Sequence, residues 1–174
     1  MDDLKGAARP ELLRGALAGA AAGLFASWAM NRVYGVWSTI SRNHEQPEQS
    51  AERGVNTDPA TIAMVNKMSR RFLGRALTDE QARLADLIGH YAIGAAGGAV
   101  YGGFSEYLPQ VRARAGAAFG TAFFLLGEEL AVPILGLSAK PWQIPAESHA
   151  VGFLAHLVYG ITTEISRHAC RQLL

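Results

Sequence analysis

Glycine recurs every fourth residue along stretches that are otherwise long and apolar: Gly15-Gly19-Gly23, Gly94-Gly98-Gly102, Gly116-Gly120, and Gly152 with Gly160. In a helix surrounded by water each glycine costs roughly 1 kcal/mol relative to alanine. In lipid, where apolar side chains gain nothing by leaving the solvent, glycine lets two helix backbones approach closely. The spacing predicts an all-α bundle of membrane-spanning helices. It does not say what the bundle does.

Composition first looks contrary: the chain is 49% hydrophobic, yet its mean hydropathy is only +0.09. The polar residues 41–82 lower the mean. Outside them, residues 12–40, 85–107, 113–137 and 148–165 each approach the ~20 residues that cross a hydrocarbon core. The expected architecture is a four-transmembrane-helix bundle, one integral membrane domain over residues 1–174. Its helices fall at about 11–38, 80–107, 113–137 and 147–168, with a polar insert at 41–78. The first apolar run follows Arg9 and Arg14 but continues to Ile40, beyond the ~7–15-residue core of a signal peptide, and reads as a retained helix. Sixteen Lys+Arg nearly balance fifteen Asp+Glu, which suggests neither nucleic acid nor an acidic substrate. The single cysteine, Cys170, has no internal disulfide partner.

Within the insert, residues 41–57 have no apolar period and read as a loop, and Asp58-Pro59 opens a short helix. On that helix Ile62, Val65, Met68, Phe72, Leu73 and Ala76 share one arc, with Asn66, Lys67, Arg70, Arg71 and Arg75 around the rest. Such a basic amphipathic helix either lies on the membrane surface or caps the bundle as packing. Thr78 with Gln81 fits a capping box for the next helix. Trp142, in the turn over 138–147, falls where aromatic belts sit.

The chain also repeats itself. Val100–Glu106 (VYGGFSE) matches Val158–Glu164 (VYGITTE), with Gly94 and Gly152 each seven residues before the tyrosine. Arg14, Gly15, Gly19 and Gly35 parallel Arg114, Gly116, Gly120 and Gly136. Two duplicated helical hairpins are expected, related by a pseudo-two-fold axis along the membrane normal.

Extending the glycine stripes in steps of four carries Ser27, Asn31, Glu128 and His156 into the bundle interior. At 1.5 Å per residue, Glu128 and His156 reach mid-membrane, while Glu129, Asn31, Arg32, His90 and His149 lie nearer the insert side. An ionised group at the bilayer centre costs at least ~2.5–3.5 kcal/mol, so these residues must pair or be neutral. Arg32 is the expected partner of Glu129 or Glu128. Two readings stand: a protonatable or ion-coordinating site, or a buried network that only fixes helix register. Pro133 favours the first, because it frees the carbonyl of Glu129. The histidines and Glu128 are acceptable metal ligands but lack a short paired spacing, so no metal or cofactor is expected. Glu106 and Glu164 are expected to snorkel or to pair with Arg112, Arg114 or Arg167, and Tyr101 and Tyr159 to be interface or packing residues. No phosphate loop, nucleophile elbow, CxxC or HExxH is present, and no enzymatic activity is expected.

Residues 85–168 resemble the YagU-like family of bacterial inner-membrane proteins of unknown function. The resemblance rests on Gly89-His90, the run from Pro133 to Gly136-Leu137, the Pro141-Trp142 linker, and a Glu, Gly/Ala, His pattern in the fourth helix. It implies a four-helix inner-membrane protein with both termini cytoplasmic, linked to acid tolerance and without catalysis. Two functions are then expected in turn. One is assistance of proton or small-ion movement by the Glu/His/Arg cluster. The other is a non-catalytic accessory or assembly role, with leftover GxxxG faces binding a second copy or another membrane protein in the lipid bilayer.

Overall fold

A computed structural model describes residues 3–44 and 59–173; the polar loop and the Asp58 cap fall mostly outside them. The described residues are helical, with no strand among them. Helix α1 (Asp3–His44) runs unbroken for 42 residues, past both ends of the expected 11–38 span. Helix α2 (Pro59–Leu73) stops at Gly74, whose φ of +69° suits glycine. Helix α3 (Asp79–Tyr107) begins with the capping box its sequence predicts. Gln81 N–H donates to Thr78 Oγ1 at 3.3 Å, and Thr78 N–H donates to Gln81 Oε1 at 3.2 Å.

A 3-10 stretch (Pro109–Gly116) follows, ending on three consecutive residues of positive φ, Arg114, Ala115 and Gly116. The third span differs from the regular helix expected over 113–137. It is built from α4 (Ala117–Phe123), a π-helical segment (Phe124–Ala131) and a last turn, α5 (Val132–Ile134). Val132 N–H reaches back five residues to the Gly127 carbonyl, the wide pairing that defines a π turn. Pro133, which has no N–H, comes immediately after. Leu137 N–H then donates to Val132 O at 3.0 Å and Gly136 N–H to Pro133 O at 2.9 Å, a Schellman ending on Gly136 with φ of +67°. A 3-10 turn (Pro141–Gln143) leads into α6 (Ala146–Arg171).

The glycine stripes are the seams of the bundle. Antiparallel to α1, α3 sets Gly102 against Gly15, Gly98 against Gly19 and Gly94 against Gly23. A Cβ on Gly19 would collide with the Gly98 carbonyl, and one on Gly98 with the Gly19 carbonyl. On the other seam, Gly116 meets Gly160 and Gly120 meets the His156 carbonyl. Ser27 Oγ sits over Gly94, and the Glu128 carboxylate sits over Gly152. Helix α1 also packs along α6, where Ala26, Met30, Ala155 and Tyr159 form a buried cluster.

Aromatic rings fill the remaining space between α3, α4 and α6. Tyr101 stacks on Phe119 at 4.3 Å, Phe119 on Phe123 at 5.6 Å, and Phe123 on Tyr159 at 5.3 Å. The Tyr159 hydroxyl donates to the Gly94 carbonyl at 2.6 Å. Both tyrosines are therefore packing residues. Among the described residues, two helical stretches are long and apolar enough to cross a membrane, Glu11–Ser41 and Arg114–Ile134.

The two ends of the bundle are closed differently. Where α1 begins and α6 ends, Arg167, Arg171, Glu106, Glu164 and Glu11 tie three helices together through ion pairs. At the opposite end α2 packs on α3, and Lys67 Nζ donates to the Gly136 carbonyl that closes the third span.

Candidate protonatable site

The π-helical segment places two adjacent carboxylates, Glu128 and Glu129, toward α6, which answers with two imidazoles on one face. His149 and His156 are seven residues apart, close to two full turns at 3.6 residues each. His149 Nδ1 lies 2.5 Å from Glu129 Oε1, and its Nε2 lies 2.9 Å from the Pro141 carbonyl oxygen. Both atoms can accept, so each ring nitrogen faces a site that wants a proton. The pair forms one imidazole–carboxylate unit.

In the second unit the imidazole is deep, but Glu128, expected in the bundle interior, has a side chain 45% exposed on the outer face of the π segment. His156 is buried, and its Nδ1 donates to the Gly152 carbonyl at 2.9 Å. That fixes the tautomer of the neutral ring and leaves Nε2 as the basic nitrogen. Glu128 Oε2 lies 3.4 Å from the same Nδ1. Phe123 and Phe124 flank the ring at 5.9 and 5.4 Å. Glycine at 152 is what gives the carboxylate room: a Cβ there would stand 3.1–3.2 Å from both Glu128 oxygens.

The other residues singled out in the sequence separate into two groups. His90 joins the site: its Nε2 is 3.4 Å from the Ser27 carbonyl oxygen, and it lies within electrostatic reach of His156. Arg32 does not join. It is exposed, its guanidinium stands 5.2 Å over the Trp28 ring, and it forms no ion pair with Glu128 or Glu129. The imidazoles of α6 hold the positions expected of it, because the π segment turns both carboxylates toward α6. Asn31 is half-buried on α1.

Two groups escaped the sequence reading. Tyr34, packed against the α1–α6 cluster, lies within electrostatic reach of Glu128. Asp86, one turn before His90 on α3, stands in the same relation to that histidine. The i, i+4 spacing of Asp86 and His90 was the available signal. Ser27 Oγ, 1% exposed as part of its residue, has no hydrogen-bond partner.

Among the described residues, no group of three His, Cys, Asp or Glu side chains converges as a metal-ligand set. The arrangement offers two carboxylate–imidazole units between the π segment and α6, with a third imidazole within electrostatic reach of His156. Such groups can exchange and pass protons.

A family model described as "Protein of unknown function (DUF1440)" covers residues 47–165. No curated protein and no solved structure matches the chain. The family model takes in the amphipathic helix, both carboxylates and all three histidines of the site, and more than half of the sequence; the chain belongs to this family of unknown function.

Proposed function

We propose that this chain is a small integral membrane protein whose Glu128–His156 and Glu129–His149 units form a proton-exchangeable site, assisting proton or small-ion movement across a bacterial inner membrane. The observation that carries the reading is that both carboxylates of the π segment are taken by imidazoles of one facing helix. On this reading the protein is of the YagU-like type, with both termini cytoplasmic, a role in acid tolerance and no enzymatic activity. Four spans are proposed. In addition to the two apolar stretches, α3 and α6 turn large apolar side chains outward: Leu87, Ile88, Ile93, Val100 and Phe104 on one, Leu154, Ile161 and Ile165 on the other. A lipid environment makes that exposure favourable. Duplication of a helical hairpin is also proposed. The repeat-related glycines 94 and 152, and 102 and 160, each receive the repeat-related partner on the neighbouring helix.

The test is proton flux into proteoliposomes. Glu128→Gln and His156→Ala should abolish flux, while Arg32→Gln, outside both units, should retain it. Identical flux in wild type and Glu128→Gln removes the proposal.

A second reading, an accessory subunit of a membrane complex or a homo-oligomer, is favoured by glycines left over after the bundle is packed. Gly35, Gly89 and Gly127 have nothing within 4 Å of a Cβ position, and so remain open to another helix. Crosslinking and native mass spectrometry in mild detergent test it, and a clean monomer counts against it.

A further inference from the structure

We infer that α2 is a docking surface for the anionic headgroups of phospholipids, at the membrane face where the Glu129–His149 unit lies. The inference rests on the membrane reading above but not on proton movement. Three features of α2 carry it.

Its cations are unanswered. Between Pro59 and Thr78 the chain has Lys67, Arg70, Arg71 and Arg75 and no acidic residue. Lys67 is committed to the Gly136 carbonyl. Arg70, Arg71 and Arg75 are exposed, and none forms an ion pair with a described carboxylate. Three guanidinium forks free to donate bidentately match phosphodiester oxygens better than any neutral surface.

An apolar edge lies beside them. Val65 and Ser69 are buried against the bundle, but Met68, Phe72 and Leu73 are not, and Phe72 is 74% exposed. At 100° per residue Met68 and Phe72 lie on one side of the buried pair and Leu73 on the other, and Arg70, Lys67 and Arg71 occupy the opposite arc. That is the arrangement of a helix seated at the acyl–headgroup boundary. An acidic protein partner would satisfy the guanidiniums and leave this edge in water.

The helix is held in place. The Asn66 side-chain oxygen accepts from Leu77 N–H at 2.8 Å, Ser69 Oγ donates to the Arg75 carbonyl at 2.7 Å, and Lys67 reaches the Gly136 carbonyl at the end of the third span. The cations are presented on a fixed scaffold. Trp142 and Lys140, in the turn that follows the Gly136 ending, add an exposed aromatic and a further cation.

The experiment titrates the full-length, detergent-solubilised chain with dioctanoyl phosphatidylglycerol, dioctanoyl phosphatidylcholine or inorganic phosphate, and counts bound lipid by native mass spectrometry. Wild type should prefer phosphatidylglycerol, and the combined Arg70→Gln, Arg71→Gln, Arg75→Gln variant should lose roughly a hundredfold in affinity, each basic residue near an anionic surface contributing about fivefold. Arg112→Gln, at the other end of the bundle, should keep the preference. Equal binding of the two lipids by wild type overturns the inference. So does an unchanged preference in the triple variant, full competition by millimolar phosphate, or a polyglutamate peptide displacing lipid at equal charge. A chain monodisperse in detergent-free buffer sinks the membrane reading itself, and is seen before any lipid is added.

Discussion

Arg167 donates two hydrogen bonds to Glu164 one turn earlier on α6, from Nε at 2.8 Å and from Nη2 at 2.9 Å, while only 2% of the arginine is exposed. The same guanidinium approaches Glu106 of α3 at 3.8 Å, and Glu106 accepts from Arg171, which also pairs with Glu11 of α1. Tyr101 donates to Glu164 at 2.9 Å, and so joins the aromatic column to the ionic knot. Three helices meet in one set of charges.

Removing Arg167 takes from Glu164 its only cation among the described residues. Arg167→Ala should destabilise the protein by about 3–5 kcal/mol, the usual cost of leaving a buried partner uncompensated. Arg167→Met, which restores volume without charge, leaves Glu164 without its cation and should recover little, unless Glu164→Gln accompanies it. Chemical unfolding in mild detergent measures this, and a change of under ~0.5 kcal/mol for Arg167→Ala would show the knot to be incidental.

The glycine seams predict position-dependent effects of one methyl group. Gly19→Ala and Gly98→Ala place carbon against a facing carbonyl, and each should cost about 1–3 kcal/mol, the range for overpacking a tight contact. Gly35→Ala and Gly89→Ala meet open space and should be neutral, or stabilising by up to ~1 kcal/mol through helix propensity. Thermal unfolding of the four variants settles the matter, and a uniform response would remove the seam assignment.

Much of this is legible in the sequence. Helical class, the Thr78 cap and the close-packed glycines follow from local rules: side-chain chemistry at an N-cap and the absence of a Cβ. The pairing of charges is not. Arg32 is the expected partner of Glu128 or Glu129 by charge and by its place on the insert side of mid-membrane, but depth along a helix says nothing of azimuth around it. The π segment changes that azimuth, and no four-residue periodicity can reveal a stretch that abandons the α-helical turn. Tyr34 was hidden for the same reason, being placed by the packing of α1 on α6. The termini-side knot joins Glu11 to Arg171, residues at opposite ends of the chain that only the closed bundle brings together.

The Glu129–His149 contact should be energetically coupled. In a double-mutant cycle of Glu129→Ala and His149→Ala, the interaction energy should fall within about 0.5–3 kcal/mol. Additive losses would mean the two side chains are neighbours without a net interaction.

Thr78→Ala should cost about 0.5–2 kcal/mol by exposing unpaired N–H groups at the start of α3. Because Leu77 N–H is held by Asn66 of α2, hydrogen exchange at Leu77 should rise with it. Unchanged protection at Leu77 would mean α2 is anchored independently of the cap.

The unbroken length of α1 has a consequence for reach. Its 42 residues extend about 63 Å at 1.5 Å each, roughly twice the ~30 Å of a hydrocarbon layer. Embedded in such a layer, about half of the rod must stand clear of it as a stiff mast, and anything fastened there is carried at a set height rather than on a tether.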